Sequence, residues 1–193
     1  KTWERSEVSL NRNSQLRKDY DDAIRTWLQH GYVRLVEEQD EQRGHFLNHF
    51  AVVKLDNETT KTRVVMNASH ETNGVSLNSC MNSGPKFINS LVQVLLRFRR
   101  FQFAFIGDIR HMYLRVLLPE QDGVYHRFVY RLLGETKVRP FQATGHIFGS
   151  GGSTAVAVGG LISLLRSIPT MLESFRIGAA KLRDRFQVRT PEG

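Results

Sequence analysis

The chain has 193 residues, of which 40% are hydrophobic and 24% are charged, and this composition excludes an intrinsically disordered chain and allows one good-sized core. The formal net charge of +8 is compatible with a polyanionic partner, although basic residues are also a common solution for solubility. The single cysteine, Cys80, excludes an internal disulfide and favours an intracellular compartment, nuclear or cytoplasmic, while the lack of any apolar run of about 20 residues argues against a membrane partner.

The first third of the chain predicts one helix and three strands. Helical spacing in "SQLRKDYDDAIRTWLQHG" predicts an amphipathic helix that stops at Gly31. The next stretch, "YVRLVEEQDEQRGH", predicts a strand followed by a charged loop. The stretches "HFAVVKL" and "KTRVVMN" then predict two strands joined by the polar turn "DNETT". We therefore expect a long hairpin with a basic return strand.

The middle of the chain predicts a loop and a second helix. The stretch "ETNGVSLNSCMNSGPK" is rich in Asn, Ser and Gly, which is typical of a loop, with Cys80 a half-buried small residue. Helical spacing resumes in "FINSLVQVLLRFRRF", with four apolar residues expected to face inward: Leu91, Val92, Leu95 and Leu96. The arginines at its end are favoured by the helix dipole and do not by themselves indicate nucleic acid.

The last part of the chain predicts a mixture of strands and one helix. An apolar strand, "FQFAFIGDI", ends in Asp108, and "YLRVLLP" either continues it or pairs with it. A hairpin is expected from "VYHRFVYRLLG" and "TKVRPFQA", and an apolar helix from "GSTAVAVGGLISLLRSIP", stopped by Pro169. An acid at a strand end can point into a cleft and bind Mg²⁺ together with other carboxylates, although a turn or capping role is the simple alternative.

Several ordered motifs in this chain resemble the reverse transcriptases of Bel/Pao-type LTR retrotransposons. That family typically shows "TTKxRVVFDAS", "GxSLNDxLxxGP", "LLRFR", "GDIxxMFxxI" and "RFLWR", and each has a counterpart here in the same order, from "TTKTRVVMNAS" to "RFVYR". The resemblance implies an α+β fold of right-hand polymerase type, with an RRM-like palm sheet, packed helices and no thumb. Residues of about 1–102 would form an N-terminal helix and fingers, and about 103–193 a palm that ends near a degenerate Asp-Asp motif.

The resemblance also implies roles for individual residues. Asp108 matches the first catalytic metal ligand, and Tyr113 matches the aromatic gate under the sugar of the incoming nucleotide. Lys61 and Arg63 match fingers residues that grip the triphosphate, a task suited to fixed cations. Phe148 and Gly149 begin "FGSGGS", which matches the turn that supports template and nucleotide. Each has a simple alternative, since Tyr113 would also fit a core, Arg63 an exposed strand and the turn a flexible loop.

One departure from the family bears on catalysis. Where the family has "FYVDDLL", this chain has "RDRFQVRTPEG", so that Arg189 and Thr190 stand in the places of the two acids. A guanidinium beside Asp108 would repel Mg²⁺ and pair with the carboxylate, and we expect an Asp108–Arg189 salt bridge. We therefore expect a lost Mg²⁺ site, no metal, no cofactor and no enzymatic activity.

These features favour a domesticated, catalytically inactive reverse-transcriptase-like domain that acts as a protein-interaction module. A protein partner is expected first, and RNA or DNA bound through a basic cleft second. Two alternatives stay open. The chain would be a fragment of an active RNA-directed DNA polymerase if its Asp pair lies beyond residue 193, or an inert structural remnant if it binds no partner.

Overall fold

The computed structural model describes residues 2–40, 43–53, 62–87, 89–100, 102–103 and 108–167. The chain divides into two compact units, Lys1–Ala157 and Val158–Gly193. Only residues 158–167 of the second unit are among those described, so that the first unit holds nearly all the structure reported below.

The described residues form a mixed α+β structure with two antiparallel sheets. The three-stranded sheet has the order β1-β5-β4, and β2 pairs with β3 in the two-stranded sheet. The α+β class is thus confirmed, while the polymerase fold stays a prediction. The α-helices are Thr2–Asn11 (α1), Ser14–Gln29 (α2), Leu77–Cys80 (α3), Leu91–Phe98 (α4) and Ser153–Ser167 (α5), the strands are Val33–Leu35 (β1), Asn48–Val53 (β2), Thr62–Asn67 (β3), Arg127–Tyr130 (β4) and Arg139–Ala143 (β5), and 3-10 helices cover Glu38–Asp40, Tyr113–Arg115 and Glu120–Tyr125.

Helix α2 confirms the predicted first helix and anchors the core. Asn13 caps its N-terminus, because the Asn13 side chain accepts a hydrogen bond of 3.0 Å from the backbone N–H of Leu16. Gly31, with φ of 68°, lies just past its C-terminus in the left-handed region that glycine adopts without strain. On the inner face, Tyr20 and Ile24 are fully buried. Local capping and apolar spacing therefore agree on the same helix.

Both predicted hairpins are present in the described residues. In the three-stranded sheet, Phe128 of β4 lies opposite Phe141 of β5, and their rings stack with centroids 5.3 Å apart. Both phenylalanines are fully buried. Strands β2 and β3 pair from Asn48–Asn67 to Val53–Thr62, whereas the predicted turn "DNETT" lies outside the described residues.

A polar cluster in the core joins α2 to both sheets. The Tyr20 hydroxyl lies 2.6 Å from Nδ1 of the buried His49, and Nε2 lies 2.8 Å from the Val129 carbonyl oxygen. Because that carbonyl can only accept, Nε2 carries the proton and Nδ1 accepts from Tyr20. Burial lowers the pKa of His49 to about 4, against a backbone hydrogen bond that raises it, and the positive Arg17 lowers it further. His49 is thus a neutral core residue.

Arg17 shows how the same core accommodates a charge. Its side chain is buried, with the guanidinium 4.9 Å from the centre of the Tyr130 ring and one nitrogen donating to the Arg131 carbonyl at 2.5 Å. A cation over an aromatic face is attracted by the ring quadrupole. The pair therefore ties α2 to the end of β4.

The structure corrects several details of the sequence-based prediction. The helix predicted around 91–98 is present as α4, but its apolar residues, including Leu91, Val92, Leu95 and Leu96, are exposed and do not face inward. Residues Tyr113–Arg115 form a 3-10 helix where a strand was expected. The predicted loop contains α3, which ends at an exposed Cys80. Helix α1 was not predicted, because its sequence has weak amphipathic spacing.

Other predictions fall wholly or partly outside the described ranges. The predicted strand "FQFAFIGDI" is described only at 102–103 and 108–109, and the predicted stop of α5 at Pro169 lies beyond them. Within the same ranges, no helix combines the length and the apolar character required to cross a membrane.

Candidate functional site

Tyr113 and Phe148, both assigned to the nucleotide pocket by resemblance, lie in contact. The Tyr113 ring packs edge-on against Phe148, with centroids 4.8 Å apart. The Tyr113 hydroxyl lies 3.3 Å from the hydroxyl of Thr154, in the first turn of α5. Both aromatic rings are partly exposed. The 3-10 helix that contains Tyr113 therefore contacts the start of α5.

Gly149 lies at a position that only glycine fits. Its φ is 102°, and an added Cβ would lie 1.8 Å from the Met66 carbonyl oxygen of β3. The preceding residue is fixed on the same strand, because the Met66 N–H donates to the Phe148 carbonyl at 3.0 Å. The turn therefore rests directly on the backbone of β3.

Asn78 of α3 holds the turn from its other side. Its Nδ2 donates to the Gly149 carbonyl at 3.1 Å and to the Ser69 hydroxyl at 2.7 Å, while its Oδ1 accepts from the Gly151 N–H at 2.8 Å. Ser153 adds a bond from its hydroxyl to the Ile147 carbonyl at 3.0 Å. We call residues 148–153 together with Asn78 the glycine corner. Sequence reasoning did not assign a role to Asn78.

A strained histidine precedes Tyr113. His111 has φ of 58°, which is uncommon for a residue other than glycine. Its ring lies 5.6 Å from that of Tyr32 and 6.5 Å from that of His30. Burial and then the neighbouring Arg110 lower the pKa of His111, so its neutral form is favoured. This constraint, which the sequence analysis missed, fixes the direction in which the chain enters the Tyr113 helix.

The other predicted site residues are placed differently or lie outside the described ranges. Asp108 is exposed, and Arg63 is partly exposed on the face of β3 opposite the buried Val64 and Met66. Lys61, Arg189 and Thr190 are not among the described residues. The predicted Asp108–Arg189 salt bridge and the loss of the Mg²⁺ site therefore stay predictions. Within the described residues, no group of three or more His, Cys, Asp or Glu side chains is arranged to hold a metal ion.

The most exposed apolar feature of the described chain is α4. Leu91, Val92 and Leu96 are 71%, 65% and 68% exposed, and the three other apolar residues of the helix are also exposed. We call Leu91, Val92, Val94, Leu95, Leu96 and Phe98 the α4 surface. Arg97 and Arg99, both exposed, lie at the C-terminal end of the helix. A helix whose apolar residues are 42–71% exposed differs from the ordinary surface helix, whose apolar stripe faces a core.

Comparison with models of protein families gives no match for this chain, and comparison with curated proteins gives no match either. The motifs quoted above are therefore the basis of the proposed family.

Proposed function

We propose that this chain is a catalytically inactive, retrotransposon-derived reverse-transcriptase-like domain that acts as a protein-interaction module. The observation that carries the proposal is the α4 surface, where six apolar side chains of one short helix are exposed to solvent. Contiguous exposed apolar patches are rare on monomeric proteins and mark interaction sites. The function proposed here is therefore binding, in place of nucleotide transfer.

The glycine corner supports the proposed polymerase ancestry. The resemblance assigns Tyr113 and Phe148 to the same nucleotide site, and the two rings pack with their centres 4.8 Å apart. Gly149 is required by its contact with the Met66 backbone. These residues are distant in sequence, so that their proximity is a property of the fold and not of the motif. The arrangement is compatible with the ancestral role that the resemblance implies.

The proposed inactivity rests on the sequence of the degenerate motif. Phosphoryl transfer with two metals requires carboxylates in pairs or threes to hold Mg²⁺. By the resemblance, Arg189 and Thr190 replace two of them and leave Asp108 without its partners. The chain would then need neither metal nor cofactor.

A protein is favoured over RNA or DNA as the partner. Nucleic-acid affinity comes mainly from Lys and Arg contacts to phosphates and from stacking of aromatic rings on bases. The α4 surface is instead mostly aliphatic, with five Leu or Val side chains and one Phe. Such side chains gain free energy by leaving water, which a protein surface provides and a phosphate backbone does not.

The proposal can be tested by quantitative co-purification from cells with wild-type protein, a Leu96→Glu variant and a matched Leu117→Glu control. Both leucines are highly exposed, at 68% and 74%, and only Leu96 belongs to the α4 surface. We expect a set of proteins that the wild type and the control recover and that Leu96→Glu loses. Recovery of the same proteins by all three would contradict the role of the α4 surface, and recovery of no protein by the wild type would favour an inert remnant. Primer extension by this chain with Mg²⁺ or Mn²⁺ would favour the active polymerase instead.

A further inference from the structure

Helix α4 is short for a helix whose apolar residues are largely exposed. It has eight residues, and isolated helices below about 12–15 residues are marginal in water. Its N-cap residue, Ser90, makes no side-chain capping hydrogen bond, so local capping adds little. Most helical stability in proteins comes from packing of an apolar face. A bound partner would supply that packing.

The apolar residues of α4 have the spacing of a helix-binding seam. Leu91, Val94, Leu95 and Phe98 stand at positions i, i+3, i+4 and i+7, which lie on one face of a helix, and they are 71%, 44%, 48% and 42% exposed. This spacing is the one by which amphipathic helices recognise an apolar partner face. The two polar residues of the helix, Gln93 and Arg97, lie off this seam. One partner helix laid along α4 would therefore cover the exposed part of all four residues.

The charges near α4 define the chemistry of that partner. Arg97 lies in the last turn and Arg99 at the C-cap, and both are exposed. The whole chain carries a net charge of +8, so a second copy of it would bring further positive charge to the contact. Opposite charges at the rim of an interface favour association and like charges oppose it. Acidic residues on the partner therefore fit this site, and self-association does not.

A lipid surface fits the same helix less well. Helices that lie in a membrane interface have a long, strongly charged polar face rich in Lys and Arg. Helix α4 has only eight residues, and between its ends the polar positions are Gln93 and Arg97. An anionic lipid vesicle is therefore tested as the competing partner, whereas the features of the helix favour a protein.

We infer that the α4 surface binds an acidic amphipathic helix of a partner protein, packed along Leu91, Val94, Leu95 and Phe98 with its acids near Arg97 and Arg99. This inference rests on the proposed function, because it names the kind of partner that the interaction module would bind. It predicts a contact that is both apolar and sensitive to salt.

The test uses a fluorescent synthetic peptide of about 18 residues, long enough to be helical, with leucines at i, i+3, i+4 and i+7 and glutamates on its rim. Binding is measured by anisotropy against wild type, Val94→Glu and the matched control Val8→Glu, whose valine is an exposed helical residue on α1. We expect Val94→Glu to weaken binding by about tenfold or more and Val8→Glu to leave it within about twofold. Arg97→Gln should weaken peptide binding about threefold more than the matched control Arg12→Gln does. This difference should be present only at low salt.

Several results would overturn the inference. A peptide with lysines in place of the glutamates should bind at least about tenfold more weakly, and equal binding would contradict the charge argument. Binding to phosphatidylserine vesicles without binding to the acidic peptide would show a lipid partner. A large loss of thermal stability in Val94→Glu but not in Val8→Glu would show that the chain itself covers α4. If the peptide does not bind while Leu96→Glu still loses its co-purified proteins, the inference fails and the proposed function stands.

Discussion

Helices α2 and α4 each carry an apolar face, but the apolar face of α2 is buried and that of α4 is exposed. In α2, Tyr20 and Ile24 are fully buried against strands of both sheets, and Tyr20 is held by a 2.6 Å hydrogen bond to His49. In α4, Leu91 and Leu96 are 71% and 68% exposed. Helical spacing decides which residues share a face, whereas burial depends on what the rest of the chain brings against that face. The stability of α2 is therefore internal, whereas the proposed function assigns the covering of α4 to a partner.

The largest expected difference between the core and α4 is in the free energy of unfolding that is lost when a phenylalanine of each is replaced by alanine. Phe128 is fully buried and stacks on Phe141, so Phe128→Ala should lower the free energy of unfolding by about 3–5 kcal/mol. Phe98→Ala, on the exposed α4, should cost about 1 kcal/mol or less. Urea unfolding of the two variants and the wild type measures both values. Similar losses for the two variants would show that α4 is packed as the core is.

Acid should destabilise the α2 region through His49. Its folded pKa of about 4 lies below the ordinary value of 6.5, so its stabilising contribution is complete above about pH 6.5 and is lost as the pH falls towards 4. The loss is at most about 1.4 kcal/mol per pH unit, or about 3 kcal/mol near pH 4. Burial also lowers the pKa values of His126 and His146, which adds to the same trend.

The measurement is the melting temperature between pH 4 and 8 for the wild type and His49→Gln. The variant should show a shallower decline in acid, because one buried imidazole no longer has to be protonated on unfolding. A parallel decline in both proteins would contradict the role given to His49. Since α4 contains no histidine, peptide binding to a folded chain should change little between pH 6.5 and 8.

The smallest of the three stability effects concerns the glycine corner. Gly149→Ala introduces a Cβ that would lie 1.8 Å from the Met66 carbonyl oxygen at a φ of 102°, and should cost about 2 kcal/mol or more. Gly134→Ala is the matched control, because its φ is 87° but its added Cβ meets nothing within 4 Å. It should cost about 1 kcal/mol. Equal unfolding midpoints for the two variants in urea would show that contact with β3 does not raise the cost of Gly149→Ala.

Elements set by local signals were predictable from the sequence. Helix α2 follows from its spacing and from Gly31, and the hairpin of β4 and β5 follows from two apolar runs with a short connection. The orientation of α4 was predicted wrongly, because the spacing of Leu91 and Leu95 is the same whether or not something covers them. The burial of His49 was missed, since its acceptor on Val129 is 80 residues away.

The residues of the candidate site also divide into those that the sequence could predict and those that it could not. Resemblance singled out Tyr113, Phe148 and Gly149, and the structure places the two rings in contact and gives Gly149 a steric reason. It could not single out Asn78, whose hydrogen bonds to Gly149 and Gly151 cross more than 70 positions of sequence. Such side-chain bonds to a distant backbone leave no periodic signal. The left-handed conformation of His111 likewise depends on packing and has no sequence signature.

The most direct test of the contrast between the two helices is amide hydrogen exchange on the isolated protein. Exchange reports how readily each element opens, from fraying segments to the global core. The account predicts that the amides of α4 exchange close to the rate of an unfolded chain, while those of α2 and β4 are protected by several orders of magnitude. Protection of α4 equal to that of α2 would show that the chain covers its own apolar helix, and would contradict the claim that α4 is an uncovered interaction surface.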